Sequence, residues 1–185
     1  MPIRGILLLL LALMGSFVLA QGTEVPGALQ FTRTVNLPLS RAQVAALVNA
    51  AWENSFALDP GAKLGSVETQ GPAFEGSARI AFRSEMVTGR EQSAGNIHYR
   101  VSILAENGTC QVRVSNIRHT GSTSAKQGPI DIGILREQAP AHFRLAGLSR
   151  SNAIALHNEA RDLATARLQQ LLGRFESTLR DRAAP

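Results

Sequence analysis

The side chains of this chain with chemistry to offer are four histidines, one cysteine and a surplus of arginine. His98 and His119 stand on either side of Asn107-Gly108, a dipeptide that favours the two-residue β-hairpin turn with both φ angles positive. Counting outward from that turn, both imidazoles fall on one face of the hairpin as diagonal neighbours, ~7–8 Å apart at the backbone. Two imidazoles at that separation, joined by a carboxylate such as Glu85 from a neighbouring strand, make a conceivable metal site. The simpler reading is two surface histidines near a sheet edge. The same parity count sends Arg79, Arg83, Arg100 and Arg113 to that polar face. Guanidinium forks suit carboxylate and phosphate, so this is the candidate ligand-binding surface, weighed against an ordinary solvated sheet face. Cys110 falls on the opposite, apolar face and reads as a small buried hydrophobe rather than a nucleophile. Gly-x-Ser-x-Gly, His-Glu-x-x-His and phosphate-binding glycine loops do not occur. The sequence therefore nominates no catalytic residue and calls for no cofactor.

The element that must position these residues is the hairpin from Gly95 to His119. Its strands are rich in β-branched residues and alternate with a period of two. The turn sets Ala105 opposite Cys110, Ile103 opposite Val112, Val101 opposite Val114 and Tyr99 opposite Asn116, one mostly apolar face. His98, Arg100, Ser102 and Leu104 lie against Ile117, Ser115, Arg113 and Gln111 on the other. One apolar side implies an antiparallel sheet covered on one face.

Along the chain, Arg4 followed by an apolar run to Ala20, with Val18-Leu19-Ala20 before Gln21, has the pattern of a secretory signal peptide over 1–20. Residues 21–28, with Gly22, Pro26 and Gly27, read as a flexible lead-in, and 29–182 as one α+β domain. Alternation over Leu29–Leu37 predicts a strand. Ser40-Arg41-Ala42-Gln43 is a capping box, and Val44, Leu47, Val48, Ala51 and Trp52 form the apolar stripe of the helix it opens. That stripe turns the single tryptophan inward, away from any role as a stacking platform. Strands follow over Lys63–Glu68 and Gly76–Met86, then the hairpin. Thr120–Arg150 is punctuated by Gly121, Gly128-Pro129 and Pro140, and a short element is expected near Ile130–Arg136. A long helix, Asn152–Arg182, carries an apolar stripe through Leu156, Leu168 and Phe175 and is expected to lie across the apolar sheet face with Ser151 as its cap.

Gly95-x-Ile97-x-Tyr99-x-Val101-x-Ile103, Glu106-Asn107-Gly108 and Val112-x-Val114-x-Asn116-Ile117-x-His119 resemble the central hairpin of a bacterial domain-of-unknown-function family. So do the first strand, the capped helix ending in Ala51-Trp52-Glu53, and the late helix. The resemblance covers about Phe31–Thr120 and, in outline, the last helix. It departs where Cys110 replaces an aromatic common after the turn. It implies a TBP-like fold, the sheet-and-helix architecture of the TATA-box-binding protein without its role, and secretion by a Gram-negative bacterium. It carries no catalytic residues.

The formal net charge of +5 weakly favours anionic partners. Only Lys63 and Lys126 are lysines. For an exported chain, glycans or lipid headgroups are better candidates than nucleic acid. With a single cysteine there is no internal disulfide. The expectation is a non-enzymatic binding module of the periplasm or cell envelope, not spanning the membrane once the leader is removed, with an unknown envelope ligand or protein as partner. An envelope structural or assembly protein is the alternative, and a metal-dependent enzyme using His98 and His119 the distant one.

Overall fold

The computed structural model describes residues 25–69, 71–86, 90–123 and 128–184, so the leader expected over 1–20 lies outside the described residues. Six strands form one antiparallel sheet: β1 (Phe31–Asn36), β2 (Lys63–Thr69), β3 (Gly71–Phe82), β4 (Gly95–Glu106), β5 (Thr109–Gly121) and β6 (Gly133–Ile134). Their order is β1-β5-β4-β3-β2, with β6 pairing the far end of β5. Helix α1 (Arg41–Glu53) and the long helix α3 (Arg150–Ala183) pack together on one face, and a short helix, α2 (Arg90–Ser93), precedes β4. Among the described residues, no helix covers the opposite face of the sheet.

The core is the apolar side of the hairpin against the two helices. Ile97, Val101, Ile103, Val112 and Val114 meet Leu156, Leu168, Leu171 and Phe175, all buried. Removing this apolar surface from water is the main force that holds the helices to the sheet. Helix α1 begins as its sequence requires, with the Gln43 side chain accepting from the Ser40 amide at 2.9 Å. Trp52 is buried and stacks on Phe56 with ring centroids 5.3 Å apart. It reaches the sheet because Gly76 of β3 has no side chain. A Cβ there would stand 2.4 Å from the Trp52 ring, closer than carbon atoms approach.

Several details differ from the sequence reading. The hairpin loop is Asn107-Gly108, but only Gly108 has positive φ, at 80°. The hairpin is held by tertiary bonds instead of a doubly left-handed turn. The Gly108 amide donates to Leu39 O at 2.9 Å, and the Asn107 side chain accepts from the Arg41 amide at 2.9 Å. The hairpin tip thus satisfies a free N–H at the start of α1. Strand β3 begins at Gly71 and ends at Phe82, earlier at both ends than its alternation suggests. The cap of α3 is Ser149, whose hydroxyl accepts from the Asn152 amide at 3.3 Å; Ser151 lies inside the first turn.

The described part of the lead-in, from Val25, is tied down. Leu29 N donates to Leu135 O at 2.8 Å, and Glu137 N to Gly27 O at 3.1 Å. The element expected near 130–136 is the two-residue β6, flanked by buried Ile130, Ile132 and Leu135.

The largest difference is a bulge. From Glu106↔Thr109 to Arg100↔Ser115 the hairpin keeps the expected register. It then slips by one residue, and His98 pairs with Arg118 and Ile97 with His119. Asn116 sits at the slip with φ 52°, the only non-glycine with positive φ among the described residues. An extra residue in one strand reverses the side-chain parity of everything beyond it. Tyr99 therefore does not face Asn116. Ile117 and His119 turn into the core, and Arg118 turns out to solvent.

Candidate functional site

On the open face, cross-strand pairs form successive rows. Arg118, His98 and Arg79 make one row across β5, β4 and β3, and Ser115, Arg100, Ser77 and Lys63 make the next, reaching β2. Directly opposed residues stand ~4.5–5.5 Å apart at Cβ, so four permanent cations and an imidazole share one patch. An open depression of about 460 Å³ on this patch is lined by Lys63, Ser77, Arg79, His98, Arg100 and Asn116 together with Gly61, Ala78 and Tyr99, and Arg118 stands beside His98 outside that lining. Lys63, Arg79, Arg100 and Arg118 form no ion pair among the described residues. The nearest carboxylate by register on this face is Glu75, opposite Ser102 and one row removed from Arg100.

A buried contact beneath the patch sets the position of Arg79. Asp59, only 4% exposed at its side chain, holds Arg167 of α3 at 2.7 Å and accepts from the Tyr99 hydroxyl at 2.8 Å. Burial, and then the neighbouring Asp59 charge, raise the Tyr99 phenol far above its ordinary range. The pair anchors the turn through Asp59, Pro60 and Gly61. Pro60 O accepts from the Arg79 amide at 3.2 Å, and the Arg79 side chain passes over Gly61. Gly61 has φ 69°, a conformation that glycine adopts without strain.

The four arginines nominated from sequence separate into three situations. Arg79 and Arg100 lie together as diagonal neighbours and line the depression. Arg113 is the next diagonal neighbour, opposite Ser102, but is engaged by Gln30 Oε1 at 2.8 Å. Arg83 is exposed beyond the end of β3, four residues and therefore ~13 Å along the chain from Arg79 at strand rise. Lys63 and Arg118 complete the patch and were not nominated. Arg118 was hidden by the bulge. The signal for it was present, since apolar residues at 112 and 114 resume at 117, and Asn is among the few residues that tolerate positive φ.

The histidine pair does not form. His98 is exposed on the outer face, whereas His119 is fully buried on the inner one. The His119 Nε2–H donates to Ser93 O at 2.9 Å, its Nδ1 accepts from the Ile132 amide at 3.3 Å, and its ring meets the Phe82 ring edge-on at 5.1 Å. These bonds tie α2 and the approach to β6 onto the sheet. Burial pushes the imidazole down to about 4, against the opposing pull of its bond to Ser93. Glu85, the third conceivable ligand, is exposed beyond β3, its amide donating to Glu159. No cluster of three or more His, Cys, Asp or Glu able to hold a metal ion occurs among the described residues. His157 is likewise buried, its Nε2 accepting from the Arg136 amide at 3.3 Å, and His142 is exposed. Cys110 is buried, which raises its thiol to about 12. Among the described residues no helix is long and apolar enough to cross a membrane.

Comparison with solved structures places this architecture. A TBP-like protein from Parabacteroides distasonis superposes with a TM-score of 0.50 at 12% identity, over 83% of this chain and 96% of that one. The fold is TBP-like. A DUF4468 family protein from Bacteroides ovatus is also similar, with a TM-score of 0.43 at 17% identity, over 82% of this chain and 88% of its own. No protein-family model matches the chain, and no curated protein does. The likeness is one of fold: an antiparallel sheet, an early helix and a long C-terminal helix on a TBP-like plan. It assigns no activity.

Proposed function

We propose that this chain is exported to the bacterial envelope and serves there as a non-enzymatic binding module that takes an anionic ligand on the open face of its sheet. The observation that carries the binding reading is the cluster of Lys63, Arg79, Arg100 and Arg118 on one face, without ion pairs among the described residues, the first three lining one depression. Like charges in neighbouring sheet positions are destabilising. Several charges of α3, by contrast, are paired: Glu176 holds Arg180 and Arg33 of β1, each at 2.8 Å, and Asp162 holds Arg161 at 2.8 Å. An anion seated among the open-face cations relieves their repulsion and gains charge-assisted hydrogen bonds.

The test is calorimetric titration of the mature chain with inorganic phosphate, for wild type and for Arg79→Ala/Arg100→Ala. The expected result is binding that weakens at least ~10-fold in the variant, the loss of about one charged hydrogen bond, and that weakens further with added salt. Equal affinity in the two proteins would remove the reading. Export is tested separately by the mass of the protein recovered from a Gram-negative periplasm, where cleavage after Ala20 is expected and an intact leader would count against it.

A further inference from the structure

The bulge at Asn116 serves the core: beyond Ser115 it turns Ile117 and His119 inward, where the unbroken register would bury Asn116 and Arg118. Beyond it, the slip has two consequences on the open face. It turns Arg118 outward beside His98, and it puts the exposed Asn116 carboxamide at the rim of the depression, among Arg79, Arg100, His98, Lys63 and Ser77.

Those groups divide by chemistry. Arg79, Arg100 and Lys63 are donors that suit a dianionic phosphate. Asn116 and Ser77 both donate and accept hydrogen bonds, which suits alcohols rather than an anion alone. The depression is open and, at about 460 Å³, larger than a bare phosphate needs.

We infer that the Asn116 bulge makes this depression a phosphomonoester site that selects a small hydroxylated carrier, with Asn116 as its specificity-determining residue. The inference rests on the anion-binding reading above and names the class of ligand for the same site.

The experiment titrates the mature chain with inorganic phosphate, with glucose 6-phosphate and with vesicles containing phosphatidic acid. Wild type is expected to prefer glucose 6-phosphate to inorganic phosphate by about five- to tenfold, one net hydrogen bond or slightly more. Asn116→Gly keeps the positive φ without strain and removes the carboxamide. It should abolish the preference by lowering the affinity for glucose 6-phosphate about five- to tenfold. Asn116→Asp tolerates the same backbone and sets a carboxylate beside the anion, so it should weaken both ligands about tenfold. Circular dichroism of each variant confirms that the sheet is retained. A preference that survives in Asn116→Gly overturns the assignment while leaving anion binding intact. Preference for the vesicles at equal phosphate overturns the soluble carrier in favour of a lipid headgroup. Phosphate binding that ignores Arg79→Ala/Arg100→Ala sinks the underlying reading instead.

Discussion

His119 makes acidification a quantitative probe of this fold. Its imidazole is buried and neutral, and is pushed from 6.5 down to about 4 chiefly by desolvation. In the unfolded chain it takes up a proton near 6.5; in the folded chain it does not until about 4. Between those values the unfolded state binds more protons, so stability falls as pH falls. From pH 7 to pH 5 the gap is worth about 2 kcal/mol, and it approaches ~3 kcal/mol at its full extent. The assay is urea unfolding at pH 7.0, 6.0 and 5.0, followed by Trp52 fluorescence, for wild type and His119→Phe. Phenylalanine fills the space against Phe82 but strands Ser93 O and the Ile132 N–H. The variant should lose roughly 1–3 kcal/mol at pH 7. It should also show a pH slope shallower by about 2 kcal/mol over this interval. His157, also lowered by burial, accounts for slope that remains. Glu176, whose carboxyl Arg33 and Arg180 hold below its ordinary range, stays ionised throughout the window. A slope that is the same in both proteins would refute the inward placement of His119 and with it the bulge.

Removing the buried anchor of the patch should be felt in both stability and binding. Asp59→Ala leaves the Tyr99 hydroxyl and the Arg167 guanidinium without their partner, and is expected to cost about 2–4 kcal/mol in urea unfolding; Arg167 keeps some solvent contact, which holds the figure below that of a fully buried pair. A loss under 1 kcal/mol would contradict the geometry. Gly76→Ala forces a methyl into the Trp52 ring and should destabilise by ~1–3 kcal/mol with a shift in tryptophan emission; an unchanged spectrum and midpoint would show that Trp52 does not lie on β3. At high pH, Tyr99 resists ionisation in the folded state only, so stability should decline as pH rises above about 10, and Tyr99→Phe should flatten that decline.

What was legible in the sequence was whatever local chemistry decides. The Ser40–Gln43 capping box, the inward stripe ending at Trp52, the two-residue loop at Asn107-Gly108 and the apolar stripe of α3 are local signals, and each forms as read. What escaped depends on partners far away in the chain. Asn107 keeps negative φ because the β1–α1 connection clamps the turn through Leu39 and Arg41. Ser149 rather than Ser151 caps α3, since two serines two residues apart offer the same chemistry and only the path of the chain chooses between them.

The candidate site was half legible for one reason. Parity counting from the turn is sound as far as Arg100 and Ser115 and fails at Asn116. It puts Arg79 and Arg100 on the open face, where they lie, and His119 there as well, which the bulge turns inward while turning Arg118 out. A single inserted residue carries no hydrophobic signature of its own beyond the shift from Val114 to Ile117.

The proposed anion site of the open-face cations is tested most directly by a nitrogen-15 NMR titration of the protein with inorganic phosphate, following backbone and arginine side-chain signals together. The account predicts saturable shifts confined to Lys63, Ser77, Arg79, His98, Arg100, Asn116 and Arg118, with Arg83 and the arginines of α3 unmoved. Shifts spread evenly over all surface arginines, or none at the depression, would contradict it.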